Sequence, residues 1–348
     1  MAAPEQLERL LTQFGERRTV ALARAISIVE DERPGFQDLL HALLARSPRA
    51  KRTGLTGPPG AGKSSLVAAL AGIYRRRDEQ LGIVAVDPTS PYTGGALLGD
   101  RIRMGELATD PSVFIRSMAS RGSSGGLATT TKEVIDLMDA FGFERILIET
   151  VGVGQTELEI TAAADTVIVV LVPESGDAIQ AMKAGLMEIA DVFVVNKSDR
   201  PGAARLVKEI QQSLHLRAGR ALEDVPAHHG VDLSRQGSRP AAAAPPPEGA
   251  AWDVPVLATN ALTGDGLDAL SSALDAHRDW LEASGALHVR RRVRARARVR
   301  DVVERGLRRA AWASEAVETH LEGGLDRIEA GEGTAYSVAG EILGLLLR

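Results

Sequence analysis

The stretch GLTGPPGAGKSSLVAAL, Gly54 to Leu70, constrains this chain more than any other. Five of the seven residues from Gly57 to Lys63 are glycine or proline, set between an apolar stub and an apolar run. A loop that only reversed the chain would need neither the lysine nor the serines that follow. The spacing Gly57-x-x-x-x-Gly62-Lys63-Ser64 is a Walker A pattern, and here it follows a predicted strand and opens a predicted helix. Glycines let backbone N–H groups curl around a phosphate without side-chain clash. The helix N-terminus adds partial positive charge. On this reading Gly57, Pro58, Pro59, Gly60, Ala61, Gly62, Lys63, Ser64 and Ser65 bind a nucleotide. Lys63 reaches the β- and γ-phosphates, and the Ser64 hydroxyl ligates Mg2+.

The rest of the chain suits a phosphate loop at a sheet edge. From Thr53 to about Asn196, short apolar runs alternate with helix-like segments: Thr53–Thr56, Gly82–Val86, Ser112–Ile115, Arg145–Glu149, Thr166–Val172 and Val192–Val195. Continuous Val and Ile with little alternation mark strands buried on both faces. That predicts an α/β, doubly wound, mostly parallel sheet. Aromatics make up only 3% of the 348 residues, so the core must rest on Leu, Val, Ile and Ala. Helical periodicity over residues 5–30, broken by Pro34, predicts an N-terminal helical extension over 1–50. A P-loop domain then spans 51–285, interrupted at 217–252 by an Ala/Pro-rich stretch read as a flexible insertion. Helical spacing returns over 286–348, predicting a C-terminal arm with an apolar seam from Val299 to Leu307. The absence of cysteine excludes thiolate catalysis and Cys-ligated metal sites and suits a reducing compartment. The N-terminal stretch carries acids and no apolar core segment, so it is no signal peptide, and no run is long enough to span a membrane, so the expectation is cytoplasmic.

The base follows from VVNKSD. Asn196-Lys197-x-Asp199 ends a predicted buried strand, and a carboxylate at Asp199 accepts from both N1–H and the 2-amino group of guanine. Adenine presents an acceptor at N1 and would leave Asp199 unpaired. Asn260, Ala261 and Leu262, in TNALTGDG, close the next predicted strand, where backbone N–H groups meet the guanine O6. Three acids fall near strand ends: Asp87, Asp100 and Glu149. A hard cation that keeps several waters calls for such carboxylates, held directly or through water. Glu149-Thr150-Val151-Gly152 has the form of a γ-phosphate switch with Glu in place of Asp. Lys63, Asp100, Glu149 and Gly152 are therefore the catalytic candidates, and Ser64, Asp87, Asp100 and Glu149 the metal candidates. Val153 follows Gly152 where Ras-like proteins often carry a water-orienting Gln, so slow intrinsic hydrolysis is expected.

Taken in order, GPPGAGKSSL, VDPTSPYTGGALLGDRIRM, ETVGVGQTE, GDAIQAMKAGLMEIAD and NKSD resemble the MeaB-type GTPases, over about residues 5–215 and 252–285. The resemblance implies GTP and GDP as ligands, Mg2+, a homodimer, and a client that is an adenosylcobalamin-dependent acyl-CoA mutase. The cobalamin then belongs to the client. Lys63, Ser64, Asp87, Asp100, Glu149 and Asp199 match functional positions of that family. Pro173–Ala190 matches its additional switch, in which Asp177, Gln180 and Lys183 lie on a predicted loop-to-helix turn. Asn260 departs from the family's usual serine.

Two other readings compete with this one. A metal-insertion GTPase normally presents Cys or His clusters. This chain has no cysteine, and its adjacent histidines, His228 and His229, fall in the insertion. A nucleic-acid module is suggested by the seven arginines in positions 290–300. No aromatics interleave them for base stacking, acids follow at Asp301 and Glu304, and the net charge of −5 argues the same way. The expectation is therefore a C-terminal helical dimerisation arm over 286–348 and no nucleic acid.

Overall fold

The computed structural model describes residues 4–45, 48–87, 105–119, 129–150, 160–174, 185–217 and 251–347. Among the described residues the six apolar runs and the segment before Asn260 form seven strands: β1 (Lys51–Thr56), β2 (Leu81–Asp87), β3 (Val113–Ala119), β4 (Arg145–Thr150), β5 (Thr166–Leu171), β6 (Val192–Val195) and β7 (Val256–Ala258). They make one sheet in the order β3-β2-β4-β1-β5-β6-β7. Every pairing in it is parallel. Successive side chains leave a strand on opposite faces, so a sheet covered on both sides needs apolar residues at every position. Ile146 and Ile148 join the core on one face, and Leu147 joins the core on the other. Val167, Val169 and Leu171 face the first side, Ile168 and Val170 the second.

The helices divide the same way. α4 (Lys63–Arg76) and a later helix, α7 (Leu267–Ala283), cover the second face through Leu66, Leu70, Leu270 and Leu274. The first face is covered by α5 (Thr129–Phe141) and α6 (Ala203–Arg217), together with the N-terminal helices α1 (Pro4–Gly15), α2 (Thr19–Glu30) and α3 (Phe36–Leu43). Periodicity over residues 5–30 predicted a single helix there, but the chain breaks at Arg17, which adopts φ 57°. The break lets Phe14 meet Phe141 edge-on at 5.2 Å while Leu22 and Ile26 are fully buried. Packing against the sheet, which periodicity does not register, overrides the helical repeat.

At the amino ends of the strands, away from the Gly-rich loop, α4, β4 and α7 are joined by charge. Arg145 lies over the Tyr74 ring at 4.0 Å and donates to Asp275, which also pairs with Arg77 at 3.0 Å and Lys51 at 3.6 Å. Burial pushes the Asp275 carboxyl up, but the Arg145 bond and the surrounding positive charge outweigh it and hold it below the usual carboxylate range.

The chain divides into two units, Met1–Leu287 and His288–Arg348. The second unit holds most of α8 (Ala286–Trp312), then α9 (Glu315–Glu329) and α10 (Ala335–Leu346). In it Val317, Val338 and Ile342 form a small core with Leu321 and Ile328. Gly324 permits the close approach, since a Cβ there would lie 2.4 Å from Val338. Thr334 and Ser337 form a reciprocal capping box that starts α10. α8 has no buried residue along its 27 positions. Among the described residues no helix is long and apolar enough to cross a membrane.

Candidate active site

β1 lies between β4 and β5, where the connections from neighbouring strands run to opposite sides, and the Gly-rich loop leaves its carboxyl end. This crevice is the favoured ligand position in open α/β sheets. The loop's glycines take backbone angles and close approaches that a side chain would block. Gly57 has φ 133°, and a Cβ there would sit 2.1 Å from the Val170 carbonyl oxygen. Gly62, at φ 87°, caps α4, and its Cβ would lie 2.4 Å from the Asn196 amide. Lys63 is buried in the first turn of α4, and its ammonium donates to the carbonyls of Gly57 at 2.8 Å and Pro58 at 3.0 Å. The lysine thus spans the mouth of the loop, with Pro59, Gly60 and Ala61 between its anchors and α4.

Ser64 donates through Oγ to Glu149 Oε1 at 2.6 Å, joining α4 to the end of β4. Leu55 of β1 and Ala85 of β2 flank Glu149 in register. Asp87 is the last residue of β2, one step beyond Val86, which pairs with Thr150. Thr150 is itself held by Thr56 at 3.2 Å. The Ser64 hydroxyl and the Glu149 carboxylate therefore meet at the carboxyl ends of the strands, beside the end of β2, and oxygen donors of this kind fit Mg2+. Ser65 is the next residue of α4, exposed on its first turn.

The other end of the site is tied to the loop directly. Asn196 is buried after β6 and donates to the Ala61 carbonyl at 2.9 Å, while its own oxygen accepts from the Ala261 N–H at 3.2 Å. Lys197 adopts φ 57° and donates to the Gly60 carbonyl at 2.9 Å. Asp199 is exposed, and its Oδ1 accepts from the Asn260 amide at 2.9 Å. The Asn260 oxygen accepts from the N–H groups of Leu262 at 3.0 Å and Thr263 at 3.3 Å. The backbone N–H of Asn260 donates to Asp265, so the three N–H groups expected near a guanine oxygen are bonded within the chain. Sequence reasoning assigned Asn260 through its backbone alone. The side-chain tether to Asp199 depends on how the loops after β6 and β7 approach, which no local motif encodes.

Asp100, Gly152, Asp177, Gln180 and Lys183 lie outside the described residues, as does most of the 217–252 stretch. Among the described residues, no group of three or more His, Cys, Asp or Glu side chains stands where it could hold a metal ion.

A family profile described as "Methylmalonyl Co-A mutase-associated GTPase MeaB" matches residues 22–316. The chain is 42% identical over 299 residues to a Pyrococcus abyssi protein that carries a GTPase name, covering 86% of this chain and 83% of the relative. It is 38% identical over 207 residues to the mouse mitochondrial methylmalonic aciduria type A homolog, covering 56% of this chain and 50% of that one. Among solved structures, that of an LAO/AO transport system kinase has the same fold, with a TM-score of 0.67 and 24% identity over the full length of both chains.

Proposed function

Since the chain belongs to the MeaB family of P-loop GTPases and is itself a GTPase, we propose that its nucleotide cycle serves an adenosylcobalamin-dependent acyl-CoA mutase, gating cofactor loading and protecting or reactivating the client. The family description supports this client, as does the likeness to the mouse methylmalonic aciduria type A homolog. The cobalamin belongs to the client.

The observation that carries the GTP chemistry is the joining of both ends of the site. Ser64 meets Glu149 at 2.6 Å beside the phosphate loop, and Asp199 is braced by Asn260 at 2.9 Å beside the base loop. Asn196 and Lys197 tie one end to the other through Ala61 and Gly60. In the proposed complex the loop from Gly57 to Ser65 wraps the phosphates, and Lys63 exchanges its carbonyl partners for phosphate oxygens. Asp199 accepts from guanine N1–H and the 2-amino group. Ser64 and Glu149, with Asp87 and Asp100, hold Mg2+, which when bound neutralises charge on the phosphates. Gly152 senses the γ-phosphate through its N–H. Asp177, Gln180 and Lys183 belong to the segment that couples this state to the client, and α8 to α10 form the arm through which two copies associate.

The test is GTP turnover by the wild type and by Lys183→Ala, each with and without a purified adenosylcobalamin-dependent mutase. Acceleration of the wild type by roughly 10³, reduced in the variant, is expected. A mutase that accelerates neither protein overturns the client assignment. Equal acceleration of both overturns only the role of Lys183.

A further inference from the structure

The C-terminal unit exposes two helical seams of opposite charge with the same heptad spacing. On α8, Val289, Val293, Arg296, Arg300, Val303 and Leu307 follow one another at intervals of four, three, four, three and four residues. That is the spacing of the contact positions of a coiled coil. All six are exposed, with Val289 at 59%, Val293 at 63%, Val303 at 52% and Leu307 at 67%. On α9, Glu315, Glu318, Glu322, Leu325 and Glu329 follow at intervals of three, four, three and four, and these too are exposed. This seam lies about a third of a turn around the helix from the side on which Val317, Leu321 and Ile328 join the small core. Among the described residues, Arg296, Arg300, Glu318 and Glu322 take part in no ion pair within the chain.

These seams are not built to pair with themselves. An antiparallel α8–α8 contact that matches Val293 with Val303 sets Arg296 against Arg300 twice at its centre. A parallel contact in register sets each arginine against its own copy. Like charges at such positions select against the pairing. α8 against α9 has the opposite property. Antiparallel, Val293 meets Leu325, Arg296 meets Glu322 and Arg300 meets Glu318. Parallel, Val303 meets Leu325, Arg296 meets Glu318 and Arg300 meets Glu322. Either direction puts both arginines on glutamates and an apolar pair on the same seam.

We propose that the α8 seam of one copy docks on the α9 seam of a second copy, with Arg296 and Arg300 paired to Glu318 and Glu322. Two such contacts, related by a twofold axis, are made at once, because each copy carries both seams. This rests on the homodimer reading above and adds the residues that make it. Of the apolar seam expected from Val299 to Leu307, it keeps Val303 and Leu307 and leaves Val299 and Val302 outside the contact.

The symmetry gives a decisive experiment on the full chain, read by sedimentation velocity at micromolar concentration. One variant carries Arg296→Glu and Arg300→Glu, so both its seams are acidic. The other carries Glu318→Arg and Glu322→Arg, so both are basic. Each alone should self-associate at least about a hundredfold more weakly than the wild type. An equimolar mixture should form heterodimers, because each α8 then meets an α9 of opposite charge. GDP binding and circular dichroism check that the variants fold, and the wild-type dimer should also weaken as salt is raised. A monomeric wild type overturns both the homodimer and this pairing. A dimer indifferent to the reversals and to salt overturns only the pairing, as do two monomeric variants that fail to combine.

Discussion

Asp199 shows how one exposed side chain takes its meaning from its neighbours. The hydrogen bond from Asn260 at 2.9 Å orients its carboxylate, which in the proposed complex faces the guanine. Hydrogen bonds to a charged group are worth roughly 1.5–3 kcal/mol each. Asp199→Asn replaces one acceptor oxygen with a donor and leaves guanine with an unpaired N–H. GTP affinity should therefore fall by about a hundredfold or more, and discrimination against xanthine nucleotides should relax. Competition binding with GTP, XTP and ATP reads both effects. Unchanged preference for GTP in the variant would remove Asp199 from base recognition.

At the scale of elements, the amino-end charge cluster joins what the hydrophobic faces hold separately. Asp275 on α7 receives Arg145 of β4, Arg77 just beyond α4, and Lys51 of β1. Its folded pKa is depressed. The stability it contributes is therefore present above the unfolded carboxyl value of about 3.9. It is lost as pH falls through the lower folded value. Asp275→Asn should cost about 1–3 kcal/mol at neutral pH, part of it from leaving the nearly buried Arg145 with one partner fewer. The deficit should shrink as the medium is acidified below about pH 4. Urea unfolding midpoints of both proteins at neutral and acid pH check this, and a deficit that grows on acidification would contradict the assigned sign. The helices α1 to α3 teach a similar lesson. They share one core with α5, α6 and the sheet, and so form part of that domain's packing.

At the scale of the molecule, the two units differ in what they bury. The first covers a sheet on both faces, whereas the second has a small core and most of a 27-residue helix with nothing buried. A chain ending at Leu287 should therefore keep GDP affinity within a few-fold of the full chain and lose self-association, as calorimetry and light scattering would show. Loss of GDP binding in a truncated protein that retains its helix content would tie the nucleotide site to the C-terminal unit.

What the sequence determined by itself is what short-range chemistry dictates. The Gly-rich loop needed positive φ at Gly57, Gly60 and Gly62, and only glycine adopts it without strain, so the turn from β1 to α4 was legible in seven residues. Doubly buried strands need unbroken apolar runs, so the parallel sheet was legible as well. What only the tertiary structure decided concerns groups far apart in the chain. Ser64 and Glu149 are 85 residues apart and meet only because β4 lies beside β1. Asn260 braces Asp199 only because β7 pairs with β6. The break at Arg17 arises where the sheet's core outweighs helical periodicity. Local patterns record which conformations a segment favours. Strand order, and with it which side chains meet, is set by how the buried faces fit together.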